Sequence, residues 1–232
     1  MNITRKLAKS ISYGSKRSKE SIKYIVFHYT GNEKDTAEAN ATYFATTNTR
    51  TAGAHFFIDK KGKIFKSVDM NLTAWAVGGD QRSGMKGEAK YFKKCTNANS
   101  VSIEMCDCVK NANYAEMVAA RYLVRYIQKK CPNAKTIIRH WDVNGKKCPA
   151  CMIGEDNKKW KDFKKFITGG YGFKAKVIKT AAIRSSAKVA DDNKVSTAKV
   201  GEKYSIDALK GMWGRIKGTK KYIAIEKLTR ID

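Results

Sequence analysis

Three short runs of β-branched and apolar residues constrain the fold of this chain most strongly. They lie at residues 23–29, 100–108 and 135–139. Runs of this length and composition are typical of buried strands. Apolar residues at helical spacing predict helices over residues 36–47, 113–131 and 158–167. We therefore predict an α/β domain over residues 1–168, in which a mixed central sheet is flanked by helices.

Local sequence patterns predict where several of these elements begin and turn. Asp35 and Glu38 have the spacing of a capping box, and Asn113 with Glu116 opens the next helix. Residues 59–62 predict a turn that joins two strands. Side chains alternate between the two faces of a strand, so the run at 100–108 has two predicted faces. One carries Val101, Ile103 and Met105, and the other carries Ser102, Glu104, Cys106 and Cys108.

The composition changes at Gly169–Gly172, which we interpret as a hinge between two domains. Residues 173–232 contain short strand-like segments without helical periodicity. This length and pattern predict a small β-barrel as the second domain.

The net charge of +26 restricts the partners that the chain can attract. Such a surface attracts polyanions, whether nucleic acids, anionic lipids or the acidic polymers of a cell wall. The alternative interpretation is a lysine-rich surface that only keeps the chain in solution. No apolar run reaches the roughly 20 residues that cross a bilayer. The basic N-terminus lacks the apolar stretch of a secretory signal. We therefore expect no membrane span and synthesis in the cytoplasm.

Histidine is scarce, so any histidine-based site must use His28, His55 or His140. His28 lies near the end of one predicted strand, and His140 follows another. Cys148 lies eight residues after His140. Two imidazoles and one thiolate are a three-ligand set for zinc that leaves one tetrahedral position open to water, as in catalytic zinc sites. Each residue alone has a simpler interpretation, as a packed histidine or a loop thiol.

Six cysteines without a secretory signal indicate free thiols or metal ligands rather than a disulfide framework. A competing hypothesis is a four-thiolate structural zinc site, in a nucleic-acid-binding protein, made by Cys106, Cys108, Cys148 and Cys151. The spacing of Cys106 and Cys108 is poor for a zinc knuckle, and both candidate histidine ligands would be left unused. We therefore favour the site of two histidines and one cysteine.

Four segments, in a characteristic order and at characteristic distances, carry a family resemblance. They are IVFHYTG around His28, GAHFFIDKKGKIF around His55, SVSIEM around Glu104, and RHWDVNGKKCP from Arg139 to Pro149. Together they make residues 20–152 similar to the zinc amidase family that includes N-acetylmuramoyl-L-alanine amidases, phage lysozyme-type amidases and peptidoglycan recognition proteins.

The resemblance implies hydrolysis of the amide bond between N-acetylmuramic acid and L-alanine in peptidoglycan. It implies one zinc ion bound by His28, His140 and Cys148. It also implies that Glu104 assists the attacking water and that Lys146 stabilises charge on the substrate carbonyl. The alternative within this fold is a peptidoglycan-binding protein without catalysis, but retention of the three candidate ligands and Glu104 argues against it.

One position departs from the family pattern. Several members carry a catalytic tyrosine where this chain has Ala54. The endolysin subgroup that relies on the glutamate often lacks this tyrosine, so we expect Glu104 to compensate. His55 is interpreted either as a residue behind the metal ligands or as a substrate-binding residue of the pocket. Trp75 is interpreted either as a substrate-binding residue of the groove or as a core tryptophan.

Residues 173–232 resemble a bacterial SH3-type wall-binding domain through AIRSS and GMWGRIKGTKKYIAI. Trp213, Tyr204 and Tyr222 either line a groove for glycan or peptide or form the core, and both interpretations stay open. The resemblance and the missing signal imply a phage or prophage endolysin that acts on the wall after release. Its partners would be peptidoglycan and anionic wall polymers, not nucleic acid. A host autolysin is the alternative.

Overall fold

A computed structural model of the chain describes residues 1–80, 89–154, 156–169 and 172–231. These residues form four α-helices: α1 (Ala37–Thr46), α2 (Tyr114–Lys130), α3 (His140–Asn144) and α4 (Lys158–Thr168). They also form fifteen strands: β1 (Ile3–Arg5), β2 (Tyr13–Lys16), β3 (Tyr24–Tyr29), β4 (Phe56–Ile58), β5 (Ile64–Lys66), β6 (Leu72–Ala74), β7 (Ser100–Met105), β8 (Thr136–Arg139), β9 (Phe173–Val177), β10 (Ala181–Arg184), β11 (Lys194–Ala198), β12 (Lys203–Lys210), β13 (Trp213–Ile216), β14 (Tyr222–Ala224) and β15 (Leu228–Arg230). Helices are interspersed among the strands up to α4, which confirms the mixed α/β class.

A six-stranded sheet with the order β1-β5-β4-β7-β3-β8 forms the centre of this α/β part. β3 pairs in parallel with β7 and with β8, whereas β4 and β5 form the predicted antiparallel hairpin. Because β3, β7 and β8 are parallel, their carboxyl ends lie at one edge of the sheet, where open α/β sheets usually bind ligands. The register of β3 with β7 places His28 directly beside Glu104. The fold therefore gathers residues from three distant segments into one place.

One face of the sheet is covered by α2 and α4, whose apolar residues pack against the central strands. Phe27 of β3 contacts Phe163 of α4 edge to face, with ring centroids 5.1 Å apart, and Leu123 of α2 is fully buried in the same cluster. α2 begins as predicted, since the side chain of Asn113 accepts a hydrogen bond from the backbone N–H of Glu116. This apolar layer holds the strands that carry His28 and Glu104 in fixed register.

The start of α1 differs from the prediction. Thr36 caps the helix, and its hydroxyl accepts a hydrogen bond from the backbone N–H of Ala39. The predicted capping box of Asp35 and Glu38 is therefore wrong, because the neighbouring threonine occupies the cap position. The carboxylate of Asp35 instead accepts a hydrogen bond from the backbone N–H of Asp107, in the loop after β7.

The alternation predicted along residues 100–108 holds only to Met105, where β7 ends. Cys106 packs with Ala41 and Phe57, on the side of the sheet covered by α1. Cys108 packs in the cluster on the opposite, α2 side. The predicted placement of Cys106 and Cys108 on one face is wrong, because Asp107 between them has a positive φ of 56° and turns the chain.

The C-terminal part is a seven-stranded sheet with the order β11-β10-β14-β13-β12-β9-β15. Its core continues into the α/β part, where the ring centroid of Tyr114 lies 5.5 Å from that of Phe166 and 5.2 Å from that of Phe173. Of the predicted hinge, residues 170 and 171 lie outside the described residues, and the domain limits of 1–168 and 173–232 remain predictions. Within the described ranges, no helix has the length and apolar character needed to cross a membrane.

Candidate metal centre and adjoining cleft

The three candidate metal ligands converge at the carboxyl edge of the central sheet. His28 lies near the end of β3, His140 is the first residue of α3 after β8, and Cys148 lies in the loop that follows α3. One donor atom from each lies within 4.8 Å of the other two, and all three side chains are buried. The structure thus brings together the residues that the sequence singled out, while their role as ligands remains a prediction.

A network around Arg139 shapes the segment that carries two of these ligands. The guanidinium of Arg139 forms an ion pair with Asp142 at 2.8 Å and donates a hydrogen bond to the backbone oxygen of Met152. The backbone N–H of Trp141 donates to the oxygen of Cys148 at 2.9 Å. Gly145 ends α3 with a φ of 77°, a conformation that favours glycine. These contacts fix how far Cys148 lies from His140.

The donor set fits zinc. Zinc–nitrogen and zinc–sulfur bonds of about 2.0–2.3 Å at tetrahedral angles place pairs of donor atoms about 3.5 Å apart, so the observed cluster needs only a small contraction. Burial and the nearby His140 and Lys146 hold the pKa of His28 well below its usual value, which leaves a neutral imidazole able to donate a lone pair. Burial raises the pKa of the Cys148 thiol to about 12, and Glu104 adds to this effect. A cation at the site is what would stabilise the thiolate.

His28 is oriented by a residue behind it that sequence reasoning did not single out as functional. The hydroxyl of Ser102, on β7, lies 3.2 Å from Nε2 of His28. Nδ1 of His55 in turn accepts a hydrogen bond from the backbone N–H of Ser102 at 3.1 Å. His55 is buried and is not among the residues that line the cleft, so of its two predicted positions it takes the one behind the candidate ligands, while its role remains a prediction. It braces the strand on which Ser102 and Glu104 lie.

An open cleft of about 610 Å³ adjoins the cluster. Its floor includes His28, Glu104 and Cys148, and its walls include Tyr43 and Trp75. A second cleft of about 500 Å³ lies on the other side of Trp75 and Lys146, which line both. The first cleft opens beside His28 and Cys148, and the second opens beside His140.

Trp75 follows β6, which pairs with β2 in a separate two-stranded sheet. Its indole ring packs so closely on Gly14 that a Cβ at that position would lie 2.5 Å from the ring. The backbone on both sides is also fixed, because the N–H of Trp75 donates to Ser12 and its oxygen accepts from Gly53. The half-buried ring is therefore held with one face available to the clefts, as its predicted binding role requires.

Glu104 is the carboxyl group beside the candidate ligands. Its Oε2 atom is buried and has no hydrogen-bond partner within the part of the chain that the structure describes. Burial raises the pKa of Glu104 to about 7, while the charge of Lys146 opposes this shift and that of Asp35 adds to it. A carboxyl group with a pKa near neutrality can both accept and return a proton. Asp35 also lines the cleft, a position that its sequence pattern did not reveal.

The competing four-thiolate site is not formed. Cys106 lies on the α1 side of the sheet, while Cys148 lies with the histidines at the carboxyl edge. Cys108 and Cys151 contact each other and not these two sulfurs. In the described ranges, the one group of three or more histidine, cysteine or acidic residues close enough to hold a metal ion is His28, His140 and Cys148.

The C-terminal sheet carries a groove of its own, about 350 Å³ in volume. Half-buried Trp213 lines it together with Arg184 and Lys227. Tyr204 and Tyr222 are not among its lining residues. Of the three aromatic residues singled out in this segment, only Trp213 is placed to contact a ligand in this groove.

Comparison with known proteins gives consistent matches for the α/β part. Residues 18–151 match the model of a family described as N-acetylmuramoyl-L-alanine amidase. The N-acetylmuramoyl-L-alanine amidase CwlL of Bacillus licheniformis is 27% identical over 173 residues, which cover 72% of this chain and 46% of CwlL. The chain therefore spans less than half the length of this curated relative.

Two solved structures share the fold. A mutant endolysin from Bacillus subtilis superposes with a TM-score of 0.55 at 25% identity, covering 72% of this chain and 98% of the endolysin. A mutant of PlyL superposes with a TM-score of 0.56 at 25% identity, covering 73% of this chain and 100% of PlyL. The likeness extends over the α/β part of this chain.

Proposed function

We propose, starting from the fact that the chain belongs to the N-acetylmuramoyl-L-alanine amidase family, that it hydrolyses the amide bond between N-acetylmuramic acid and L-alanine in bacterial peptidoglycan. The observation that carries this proposal is the cluster of His28, His140 and Cys148 beside Glu104, where His28, Cys148 and Glu104 line an open cleft. The purified chain is expected to clear a suspension of purified peptidoglycan when zinc is present. Failure to clear it at any zinc concentration would count against the proposal.

His28, His140 and Cys148 are proposed to hold one zinc ion. When bound, zinc supplies a Lewis acid for the amide carbonyl and lowers the pKa of a water molecule. The protein's part is to keep the imidazole of His28 neutral, to bury the thiol, and to fix the three donors through Ser102 and the Arg139 network. These contacts hold the donor set before any substrate arrives.

Glu104 is proposed as the group that moves the proton. Its register position beside His28 places the carboxyl next to the candidate metal site, and its buried Oε2 is free to accept a hydrogen bond from the attacking water. The same carboxyl then returns the proton to the leaving amine of L-alanine. A side chain lacking this acid–base function would leave both proton transfers to solvent.

Lys146 is proposed to stabilise negative charge on the substrate carbonyl. It is exposed and lines both clefts, two residues before Cys148. A positive charge aimed at the developing oxyanion lowers the energy of the transition state more than that of the bound substrate. Its effect is therefore expected in kcat rather than in KM.

Replacing Lys146 with alanine is expected to lower kcat for peptidoglycan hydrolysis by about 10²-fold, with little change in KM. Lys147→Ala is the matched control, because Lys147 is also exposed but lines neither cleft. Initial rates on a soluble glycan–peptide fragment would separate the two parameters. Equal rates for both variants would remove Lys146 from the mechanism.

A recognition protein without catalysis is the alternative function within this fold. It needs the cleft but has no use for a converging donor set beside a carboxyl group of raised pKa. The presence of both features at one site favours hydrolysis. A second alternative is a host autolysin, which would carry out the same reaction in a different biological setting. The likeness to an endolysin from Bacillus subtilis favours an endolysin.

The C-terminal sheet is proposed to be an SH3-type domain that holds the enzyme on the wall. Its groove is lined by Trp213 and by three cationic side chains, Lys61, Arg184 and Lys227, against one acidic side chain, Glu226. An aromatic ring with an excess of positive charge suits an acidic glycan or peptide. The net charge of +26 adds a general attraction to anionic wall polymers. Binding through the groove would raise the local concentration of substrate at the cleft.

Replacing Trp213 with alanine is expected to weaken binding to purified cell walls about tenfold, because a central aromatic contact commonly contributes more than 1 kcal/mol. Co-sedimentation with walls measures this. Tyr204→Phe is the control, since Tyr204 does not line the groove and the change removes only a hydroxyl that donates to Glu202. Unchanged sedimentation of the Trp213 variant would exclude this groove as the wall-binding site.

A further inference from the structure

Two buried cysteines outside the candidate metal centre contact each other. The sulfur atoms of Cys108 and Cys151 lie 2.7 Å apart. Cys108 is fully buried in the loop after β7, and Cys151 is 6% exposed in the short 3-10 turn Ala150–Met152. We propose that Cys108 and Cys151 are a redox-active pair that forms a disulfide bond when the chain meets a disulfide oxidant.

The contact meets one geometric demand on a disulfide, the proximity of the two sulfur atoms. A sulfur–sulfur bond is about 2.05 Å long, so the sulfurs need only a small approach to form it. The other thiols lack such a partner: in the ranges that the structure describes, no other two cysteine sulfurs are recorded in contact. The pairing is therefore specific to Cys108 and Cys151.

The two thiols are not equivalent. The hydrogen bond between the two sulfurs lowers the pKa of Cys151 and raises that of Cys108. The positive charges of Lys159 and Lys60 further favour the thiolate of Cys151. Cys151 is also the more exposed of the two. It is consequently the thiol that an external disulfide meets first.

The reaction balances as a thiol–disulfide exchange. The thiolate of Cys151 attacks one sulfur of a low-molecular-weight disulfide, and a mixed disulfide forms as the other sulfur leaves as a thiolate. Cys108 then attacks the sulfur of Cys151, its proton passes to the departing thiolate, and the second small thiol leaves. Two protein thiols are oxidised, and one small disulfide is reduced to two thiols.

The bond would join two loops that flank the candidate metal centre. Cys108 lies four residues after Glu104, and Cys151 lies three residues after Cys148. A cross-link here ties the strand that carries the carboxyl group to the loop that carries a candidate ligand. It closes a ring over residues 108–151, and cross-links of this span raise stability mainly by restricting the unfolded chain.

The test is to count thiols and map the bond. The zinc-loaded protein is treated with oxidised glutathione, and free thiols are then titrated in denaturant. The wild type is expected to fall from six free thiols by about two, and peptide mapping is expected to join the segments that contain Cys108 and Cys151. The oxidised form should also melt about 5–10 °C higher than the reduced form.

Matched variants make the result specific. Cys108→Ala should lose only about one thiol, held as a mixed disulfide on Cys151 that no second cysteine resolves, whereas Cys95→Ala, which removes a buried thiol elsewhere, should still lose about two. The mapping on the wild type does not depend on whether either variant folds. Six thiols remaining after oxidation would overturn the proposal, as would a bond mapped to Cys148 or to any other cysteine.

Discussion

Replacing Glu104 with glutamine is expected to lower the rate of peptidoglycan hydrolysis by about 10²–10⁴-fold, the usual contribution of a positioned acid–base group. Glutamine keeps the size of the side chain and its ability to accept a hydrogen bond, but it cannot take a proton from water. Initial rates measured at saturating zinc would give the loss. The zinc content of the variant should stay unchanged, because Glu104 is beside the donor set and not part of it.

Glu33→Gln provides the control for this experiment. Glu33 is an exposed carboxyl that forms an ion pair with Lys110 at 3.4 Å and does not line the cleft. Its replacement likewise exchanges a carboxyl for an amide and should leave the rate within about twofold, as expected for an exposed pair. If the two variants hydrolyse peptidoglycan equally fast, Glu104 has no role in proton transfer.

Replacing His28 with alanine is expected to abolish zinc binding and, with it, hydrolysis by about 10³-fold or more, since metal catalysis contributes several kcal/mol. Only two donors would remain, too few for a stable zinc site. Metal analysis after dialysis should show about one zinc ion per wild-type chain and almost none in the variant. Treating the wild type with a chelator should give the same loss, and added zinc should reverse it.

His55→Gln is the matched control, because His55 is the one histidine outside the donor set. Its Nδ1 accepts a hydrogen bond from the backbone N–H of Ser102, and the glutamine oxygen can accept in its place. This variant should retain zinc, although replacing a buried ring is expected to cost stability. Retention of zinc by His28→Ala would contradict the proposed ligand set and would favour a site made of thiolates.

Much of the fold follows from local patterns in the sequence. The strand at β3 is β-branched and apolar, and α2 has a capped start and a regular apolar face, so both could be predicted without tertiary information. The scarcity of histidine then restricted the metal site to very few residues. His28 and His140 were identified because each lies at or just after the end of a strand, where functional side chains in α/β sheets collect.

The remainder of the site depends on which strands become neighbours. The adjacency of His28 and Glu104 results from the pairing of β3 with β7, and no spacing along the chain encodes that register. The sequence predicts Asp35 as the cap of α1, but the hydroxyl of Thr36 caps this helix. The carboxylate of Asp35 instead accepts a hydrogen bond from the loop after β7. The motif around His55 leaves open whether this residue lies in the pocket or behind the ligands, and only the assembled structure shows it buried next to the backbone of Ser102.

Packing between distant segments explains two further differences. The ring of Trp75 is positioned by its contact with Gly14, which belongs to a strand that the sequence pattern did not reveal. The contact between Cys108 and Cys151 arises because Asp107 turns the chain through a positive φ, where a continuous strand was predicted. Neither contact has a periodic signature, so only the assembled structure provides it.

The central claim, hydrolysis of the bond between N-acetylmuramic acid and L-alanine, is tested most directly by identifying the new chemical ends released from purified peptidoglycan. We predict new amino termini in which L-alanine is the terminal residue, with no increase in reducing sugar ends. Both the Glu104→Gln variant and the chelated protein should release almost none. New reducing ends without L-alanine termini would contradict the account, because a different bond would then be cut. Wall binding with no new ends of either kind would also contradict it and would indicate a recognition protein without catalysis.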